Sequence, residues 1–308
     1  MLSGPTKGYL CVIAAAVMWA SSGTAGKALF QIGVDPFEMV QIRVTLSSLI
    51  LLALFGFFKK QRLRIRTRDI VYFLVLGMVT SGLHLSYFYA ISKIKVAAAI
   101  LLEYLAPILV VFFSICFWKE RISIIKILAL LFSILGCYLV VGGYNLGLLQ
   151  MNRIGILWGL GAAVSFAAYT LLGERGMHRY SPWTVLFYAL LFSALWLNVL
   201  YKPFNYIHVR YSPLDWAGFL YIVIFGTILP FGLYFMGVNH IRSTRTAITA
   251  TLEPISAAFM AFFLLDEVLG LPQIMGGLAV IAAIVLLQWQ REQDELTPEK
   301  IRKQNNSI

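Results

Sequence analysis

Residues 8–25 read GYLCVIAAAVMWASSGTA, and residues 155–172 read GILWGLGAAVSFAAYTLL. Laid on one another at a separation of 147, Gly8 falls on Gly155, Ala15-Ala16-Val17 on Ala162-Ala163-Val164, Ala20 on Ala167 and Gly26 on Gly173. The same shift carries Tyr87 onto Tyr234, Ile94 onto Ile241, Leu105 onto Leu252, Pro107 onto Pro254, Phe112 onto Phe259 and Glu120 onto Glu267. One residue of slippage near Asp69 and Asp215 is the only gap required. A separation that holds from one end of each half to the other marks an internal duplication.

Composition says what the duplicated unit is. Of 308 residues, 60% are hydrophobic and 13% charged, against roughly a quarter charged in a soluble protein. Ten apolar runs follow one another: 8–25, 37–58, 70–91, 96–118, 124–141, 154–173, 183–201, 216–238, 246–265 and 271–288. Each is close to the roughly 20 residues that carry a helix across a bilayer. Hydrocarbon offers the backbone no partners, so each run is expected to be helical. The first run is not read as a secretory leader, because its sequence recurs inside the chain. The expected fold is an all-α membrane protein of ten transmembrane helices built from two five-helix repeats, 8–142 and 154–288, with a tail over 289–308.

The net charge of +11 is not read as a nucleic-acid footprint, because lysine and arginine concentrate in the short segments between runs. Cytoplasmic loops retain such residues. Placing Lys7, the 59–68 segment, Lys119 to Lys126, Arg175, Arg179, Arg242, Arg245 and the Arg291–Lys303 tail inside puts both termini in the cytoplasm. Five runs per half is an odd number, so the second half is expected to enter the membrane from the opposite side. Inverted repeats of this kind are an architecture of secondary transporters, in which one half opens outward as the other opens inward.

The stretches that carry a family resemblance are 14–23, Gln41-Ile42-Arg43, Leu105-Ala106-Pro107 through Lys119-Glu120-Arg121, and Thr251-Leu252-Glu253-Pro254 through Asp266-Glu267. In these the chain resembles the EamA family of the drug/metabolite transporter superfamily over roughly residues 8–288. The resemblance implies a ten-helix carrier in the cell membrane, its central cavity lined by spans 1, 3, 4, 6, 8 and 9, and export ahead of import. It leaves the cargo open, since similar members move amino acids, sugars or nucleotide-linked compounds.

Polar residues inside the spans are the candidate site, because an ionised group at the bilayer centre costs about 2.5–3.5 kcal/mol on insertion scales. Glu103 precedes Pro107 by one turn and Glu253 adjoins Pro254. They are not repeat equivalents: Glu103 falls on Ala250 and Glu253 on Ala106. Positions 103 and 106 nevertheless share a helix face, so both acids are expected to look into one cavity. They are read either as holding a cationic group or a coupling proton, or as bonding backbone groups that the prolines leave unpaired. Arg43 falls on Leu190, without a counterpart, and is read as meeting a substrate carboxylate or as joining helices. Trp19, Ser22, Tyr87 and Tyr234 complete the expected substrate-binding set, with packing as their alternative role. Lys27, His84, Glu120, Glu174 and Glu267 are secondary candidates for gates, a proton relay or fixed contacts.

Cys11, Cys116 and Cys137 lie within apolar runs without metal-ligand spacing, so neither metal nor cofactor is expected. A phosphate-binding loop and the signatures of hydrolases are absent, which argues against an ATP-driven pump and against an enzyme. The expected function is a secondary carrier of a small organic metabolite, foremost an exporter of amino acids or related compounds. The alternative is a translocator of nucleotide-linked or lipid-linked sugars, with the 59–68 segment meeting phosphates.

Overall fold

Three prolines and one residue at positive φ decide where the helices of this chain bend. In the computed structural model, residues 3–31, 33–118, 123–144, 152–200, 211–265, 270–289 and 297–306 are described. They form α1 (Gly4–Gln31), α2 (Pro36–Phe58), α3 (Ile70–Lys93), α4 (Val96–Glu103), α5 (Ala106–Trp118) and α6 (Ile124–Val141) in the first half. The second half gives α7 (Arg153–Met177), α8 (Pro182–Leu200), α9 (Pro213–Val223), a π-helical turn (Ile224–Ile228), α10 (Leu229–Ala250), α11 (Leu252–Leu265) and α12 (Leu271–Trp289). A short polar helix, α13 (Pro298–Asn306), follows. No strand is present among the described residues.

Among the described residues, eight stretches are long and apolar enough to cross a bilayer, and the protein is a multi-pass membrane protein. The helices do not sort one-to-one onto the ten expected spans. The fourth is two helices, because Pro107 brings no amide hydrogen to the carbonyl of Glu103 and the chain turns at Tyr104–Leu105. The ninth repeats this break, with Pro254 four residues beyond Ala250 and the turn at Thr251. The third proline, Pro230, stands four residues beyond Gly226 and adjoins the π-helical turn, where bonding widens by one residue. Broken helices at matching positions of two repeats are the form that transporter binding sites take.

The stretch Pro213–Ala250 runs 38 residues, about 57 Å at 1.5 Å per residue, nearly twice the roughly 30 Å core of a bilayer. It turns back at Arg242, whose backbone sits at φ 64°, ψ 170°. A bulky residue at positive φ is held there by its surroundings, and Arg242 Nε donates to Glu174 Oε1 at 3.1 Å. Simpler signals set the other ends. Asp35 opens α2 by accepting from the amides of Phe37 and Glu38 ahead of Pro36. Ser212 and Asp215 form a reciprocal capping box on α9.

The halves pack as a two-fold relation requires. α1 lies along α10 as α3 lies along α7, and exchanging the halves converts one pair into the other; α6 with α12 and α2 with α8 convert into themselves. The detail holds at two glycine contacts. A methyl group on Gly8 would sit 2.7 Å from Ile241 Cγ2 and one on Gly155 2.5 Å from Ile94 Cγ2. A methyl on Gly26 would sit 2.9 Å from Phe88 Cε1, and on Gly173 2.4 Å from Phe235 Cε1. These are the same contacts exchanged by 147. Gly173→Val is therefore expected to overpack the α7–α10 seam and destabilise by about 1–3 kcal/mol. Gly56→Ala, where nothing lies within 4 Å, should be neutral or slightly stabilising, as alanine is the better helix former. Thermal unfolding in lipid nanodiscs compares them, and equal midpoints would refute the close approach.

Candidate functional site

One end of the bundle gathers the basic segments. Arg179 Nη1 donates to Asp69 Oδ1 at 2.9 Å, the Tyr180 hydroxyl to Asp69 Oδ2 at 2.6 Å, and the Arg66 amide to the Tyr180 hydroxyl at 3.0 Å. Buried Glu174 receives Arg242 Nε and the Ser243 amide and hydroxyl, tying α7 to the bend of α10. α13 docks here too. Arg302 Nη1 donates to the carbonyls of Met177 (2.6 Å) and Tyr180 (2.9 Å) and to Asn239 Oδ1 (3.1 Å), and Glu299 meets His240 Nδ1 and Lys303 Nζ at 2.8 Å each. At the opposite end Tyr211 donates to Glu38 at 2.7 Å.

The hydrogen bond from Lys303 holds the Glu299 carboxyl below its usual range, against the opposing effect of partial burial, with His240 adding to the lowering. A lowered carboxyl stabilises docking fully above the undocked pKa and ceases to do so as pH falls through the docked value. Acidification through that value should release α13, seen as faster motion of a spin label at Asn305. Glu299→Gln should give the same mobility at neutral pH, and a label that stays immobile in both would contradict the contact.

The central cavity lies between the halves. Its lining takes Trp19, Ser22 and Gly23 from α1, Arg43 from α2, His84, Tyr87 and Phe88 from α3, Glu103 from α4, Phe166 from α7, Phe231 from α10 and Glu253 from α11, with Tyr104 at the first break. These are spans 1, 3, 4, 6, 8 and 9 of the sequence reading, joined by span 2 at Arg43. The cavity measures about 50 Å³, and a water needs roughly 10–15 Å³ by this measure. It has room for a few waters and little more.

Two of its polar residues are held by carbonyls that prolines release. Arg43 Nε donates to Thr227 Oγ1 and Nη2 to the Gly226 carbonyl, both at 2.7 Å. Residue 230, which would ordinarily bond that carbonyl, is proline. The guanidinium also lies 5.0 Å from the Phe88 ring and 5.8 Å from the Phe231 ring. Its Nη1 makes no hydrogen bond among the described residues. The Tyr104 hydroxyl lies 2.7 Å from the Ala250 carbonyl, which Pro254 leaves without its helical donor, and 2.8 Å from Glu253 Oε2. Glu103 receives no hydrogen bond among the described residues and faces the cavity with Arg43 and Glu253.

Aromatic rings form the rest of the wall. Trp19 meets Phe231 edge-on at 4.9 Å and tilts over Tyr234 at 5.3 Å, and His84 meets Phe231 edge-on at 5.0 Å. The buried Trp19 Nε1 and His84 Nε2 have no hydrogen-bond partner among the described residues, a state that ordinarily calls for water or a ligand. Ser22 donates to the Trp19 carbonyl at 3.1 Å.

Of the residues singled out in the sequence, Trp19, Ser22, Arg43, Tyr87, Glu103 and Glu253 come together. Tyr234 stands behind Trp19, its hydroxyl paired with Thr170 at 2.8 Å, and does not line the cavity. Glu120 and Glu267 lie outside the described residues, as does the side chain of Lys27. Sequence reasoning passed over Tyr104, Phe88, Phe231 and the Gly226–Thr227 turn. A signal for Tyr104 exists: it and its repeat equivalent Thr251 are both polar and both stand three residues before a proline.

Two copies of one helical unit, broken at matching prolines around a charged cavity, define a membrane protein of transporter type. The EamA-like transporter family matches over residues 6–142 and 153–289, and the chain belongs to it. Among its relatives, an inner membrane transporter of Salmonella typhimurium, YicL, of uncharacterised function, is 28% identical over 91% of this chain and 95% of its own. A transporter of Archaeoglobus fulgidus, also uncharacterised, is 34% identical over 67% and 71%. The threonine/homoserine exporter RhtA of Escherichia coli is 24% identical over 83% of each. A solved crystal structure with 17% identity superposes with a TM-score of 0.75 over 94% of this chain and 99% of that one, which shows the fold.

Proposed function

We propose that this protein is a secondary carrier that exports a small zwitterionic metabolite of the amino-acid class by alternating access. The observation that carries the reading is the cavity between the halves, where one guanidinium and two carboxyls share a wall with aromatic rings. Arg43, through Nη1, takes the substrate carboxylate, and Glu103, which receives no hydrogen bond among the described residues, takes the ammonium. Trp19 Nε1 and His84 Nε2 supply two more polar contacts. The relatives named as threonine/homoserine exporters favour this cargo class.

In this reading the chain crosses the membrane ten times, α4 with α5 forming one crossing, α9 with residues 224–241 another, and residues 243–265 a third. The domains are the repeats 8–142 and 154–288, the termini are cytoplasmic, and the second repeat is inverted. The glycine contacts exchanged by 147 support the symmetry, and the gathering of Lys7, Asp69, Arg179 and α13 at one end supports the shared side of the termini. A cavity of about 50 Å³ is too tight for an amino acid, so binding belongs to a wider conformer. The Glu174–Arg242–Ser243 contacts close the cytoplasmic end.

A nucleotide-linked or lipid-linked sugar fits less well, since its diphosphate would bring at least two negative charges to a cavity whose one guanidinium already faces the Glu103 carboxylate. Uptake of a panel of amino acids and sugar nucleotides into proteoliposomes tests the choice. Threonine-like solutes should move, and Glu103→Gln should reduce their kcat/KM by about 10- to 100-fold, the worth of a charge-assisted hydrogen bond. No solute moving faster than into empty liposomes would remove the carrier reading.

A further inference from the structure

Tyr104 has one hydroxyl proton and two acceptor neighbours, the Ala250 carbonyl at 2.7 Å and Glu253 Oε2 at 2.8 Å. The carbonyl can only accept, and Pro254 has removed its helical donor. If Tyr104 donates to the carboxylate, a buried carbonyl is left facing the lone pairs of a phenol oxygen. If Tyr104 donates to the carbonyl, Glu253 can keep its 2.8 Å contact only by donating, which requires a proton on the carboxyl. The second arrangement satisfies the Ala250 carbonyl, the Tyr104 hydroxyl and Glu253 Oε2 together. We propose that Glu253 is the proton-binding site of this carrier and that one proton is carried per transport cycle, a proposal that rests on the transport reading above.

The proton is delivered by hydronium entering the cavity, which loses one O–H bond and leaves as water, and it forms the new O–H bond on a Glu253 carboxyl oxygen; no other bond forms or breaks. The groups facing Glu253 are Arg43 of α2, Tyr87 of α3, Glu103 of α4, Tyr104 at the first break and Cys137 of α6. The ionised form is also accommodated, because Glu253 stands in the first turn of α11, the end of a helix that favours negative charge. Glu253 is therefore poised to load and unload.

Loading is coupled to shape because the contact joins the two halves: Tyr104 belongs to the first break, Ala250 and Glu253 to the second. With the proton on Glu253, Tyr104 pairs the Ala250 carbonyl and the breaks are tied. When the proton leaves, Tyr104 turns to the carboxylate, the carbonyl loses its partner, and the two hydrogen bonds between the breaks become one, which loosens the joint about which the halves rock. Glu103, which lacks such a contact, remains available to the substrate ammonium, so the two acids divide the work.

Infrared titration of the purified protein in lipid nanodiscs tests this without any substrate. At about pH 7, where ordinary carboxyls with pKa near 4 are ionised, the wild type should show the C=O absorption of a protonated carboxyl. Glu253→Gln should lose it and Glu103→Gln should keep it. Tyr104→Phe, which removes the hydroxyl that the acid donates to, should move it to higher frequency. An unchanged amide band certifies the fold of each variant. In proteoliposomes, Glu253→Gln should reduce the response of threonine flux to an imposed pH gradient at least about tenfold. No band at that pH, or a band that persists in Glu253→Gln, overturns the proposal. The expected bands in a protein that moves no amino acid would uphold the proton site and refute the cargo.

Discussion

Arg43→Lys is expected to abolish threonine flux in proteoliposomes, by about 100-fold or more in kcat/KM, although it keeps the charge. The guanidinium bonds Thr227 Oγ1 and the Gly226 carbonyl at once, both at 2.7 Å, and lies between the Phe88 and Phe231 rings. A lysine ammonium is a point charge on a flexible stem and cannot span these partners while presenting a further donor to the cavity. The Gly226 carbonyl then loses its partner, because Pro230 offers no amide. An unpaired buried carbonyl costs about 1–3 kcal/mol. Arg43→Ala removes the charge as well and leaves Glu103 and Glu253 facing one another without a cation. Its flux should be equally lost, with a lower unfolding midpoint in nanodiscs. Arg43→Lys within twofold of wild type would show that a simple positive charge suffices and that the bidentate hold is irrelevant.

The second large effect is at a proline. Pro254→Ala returns an amide hydrogen to the helix, and the Ala250 carbonyl can take it in the ordinary manner. Residues 243–265 then form one continuous helix, which removes a break and adds a backbone hydrogen bond worth about 1 kcal/mol net. The variant should unfold at a higher temperature and transport at least about tenfold more slowly, since stability gained at a mobile element is commonly set against activity. Pro107→Ala at the matching break should behave alike. A Pro254→Ala protein that is less stable and fully active would mean that the break plays no part in the transport cycle.

The prolines also mark the limit of what the sequence revealed. Apolar run length and the separation of 147 were sufficient for a membrane protein with two related halves, because the bilayer leaves helices few alternatives. The three-residue offset between Glu103 and Ala106 brought Glu103 and Glu253 to one cavity, since helix faces follow from spacing alone. Three features stayed hidden for physical reasons. Continuous hydropathy across 96–118 concealed the break at Tyr104–Leu105, as an apolar run gives no sign of its backbone bonding. The partners of Arg43 depend on a π-helical turn in another segment, which local spacing does not encode. Tyr234 shares a repeat position with Tyr87 but is rotated behind Trp19 and paired with Thr170, a matter of packing between α7 and α10.

Rocking around a shared cavity requires two halves that face opposite ways. Arg64 and Ser212 occupy corresponding loops of the halves and are both exposed. With Cys11, Cys116 and Cys137 replaced, a single cysteine at each can be probed in whole cells and in inverted vesicles with a membrane-impermeant thiol reagent. Arg64→Cys should react only from the cytoplasmic side and Ser212→Cys only from the outside. Reaction of both from the same side would place the halves parallel, and neither the shared cavity nor the rocking cycle would survive it.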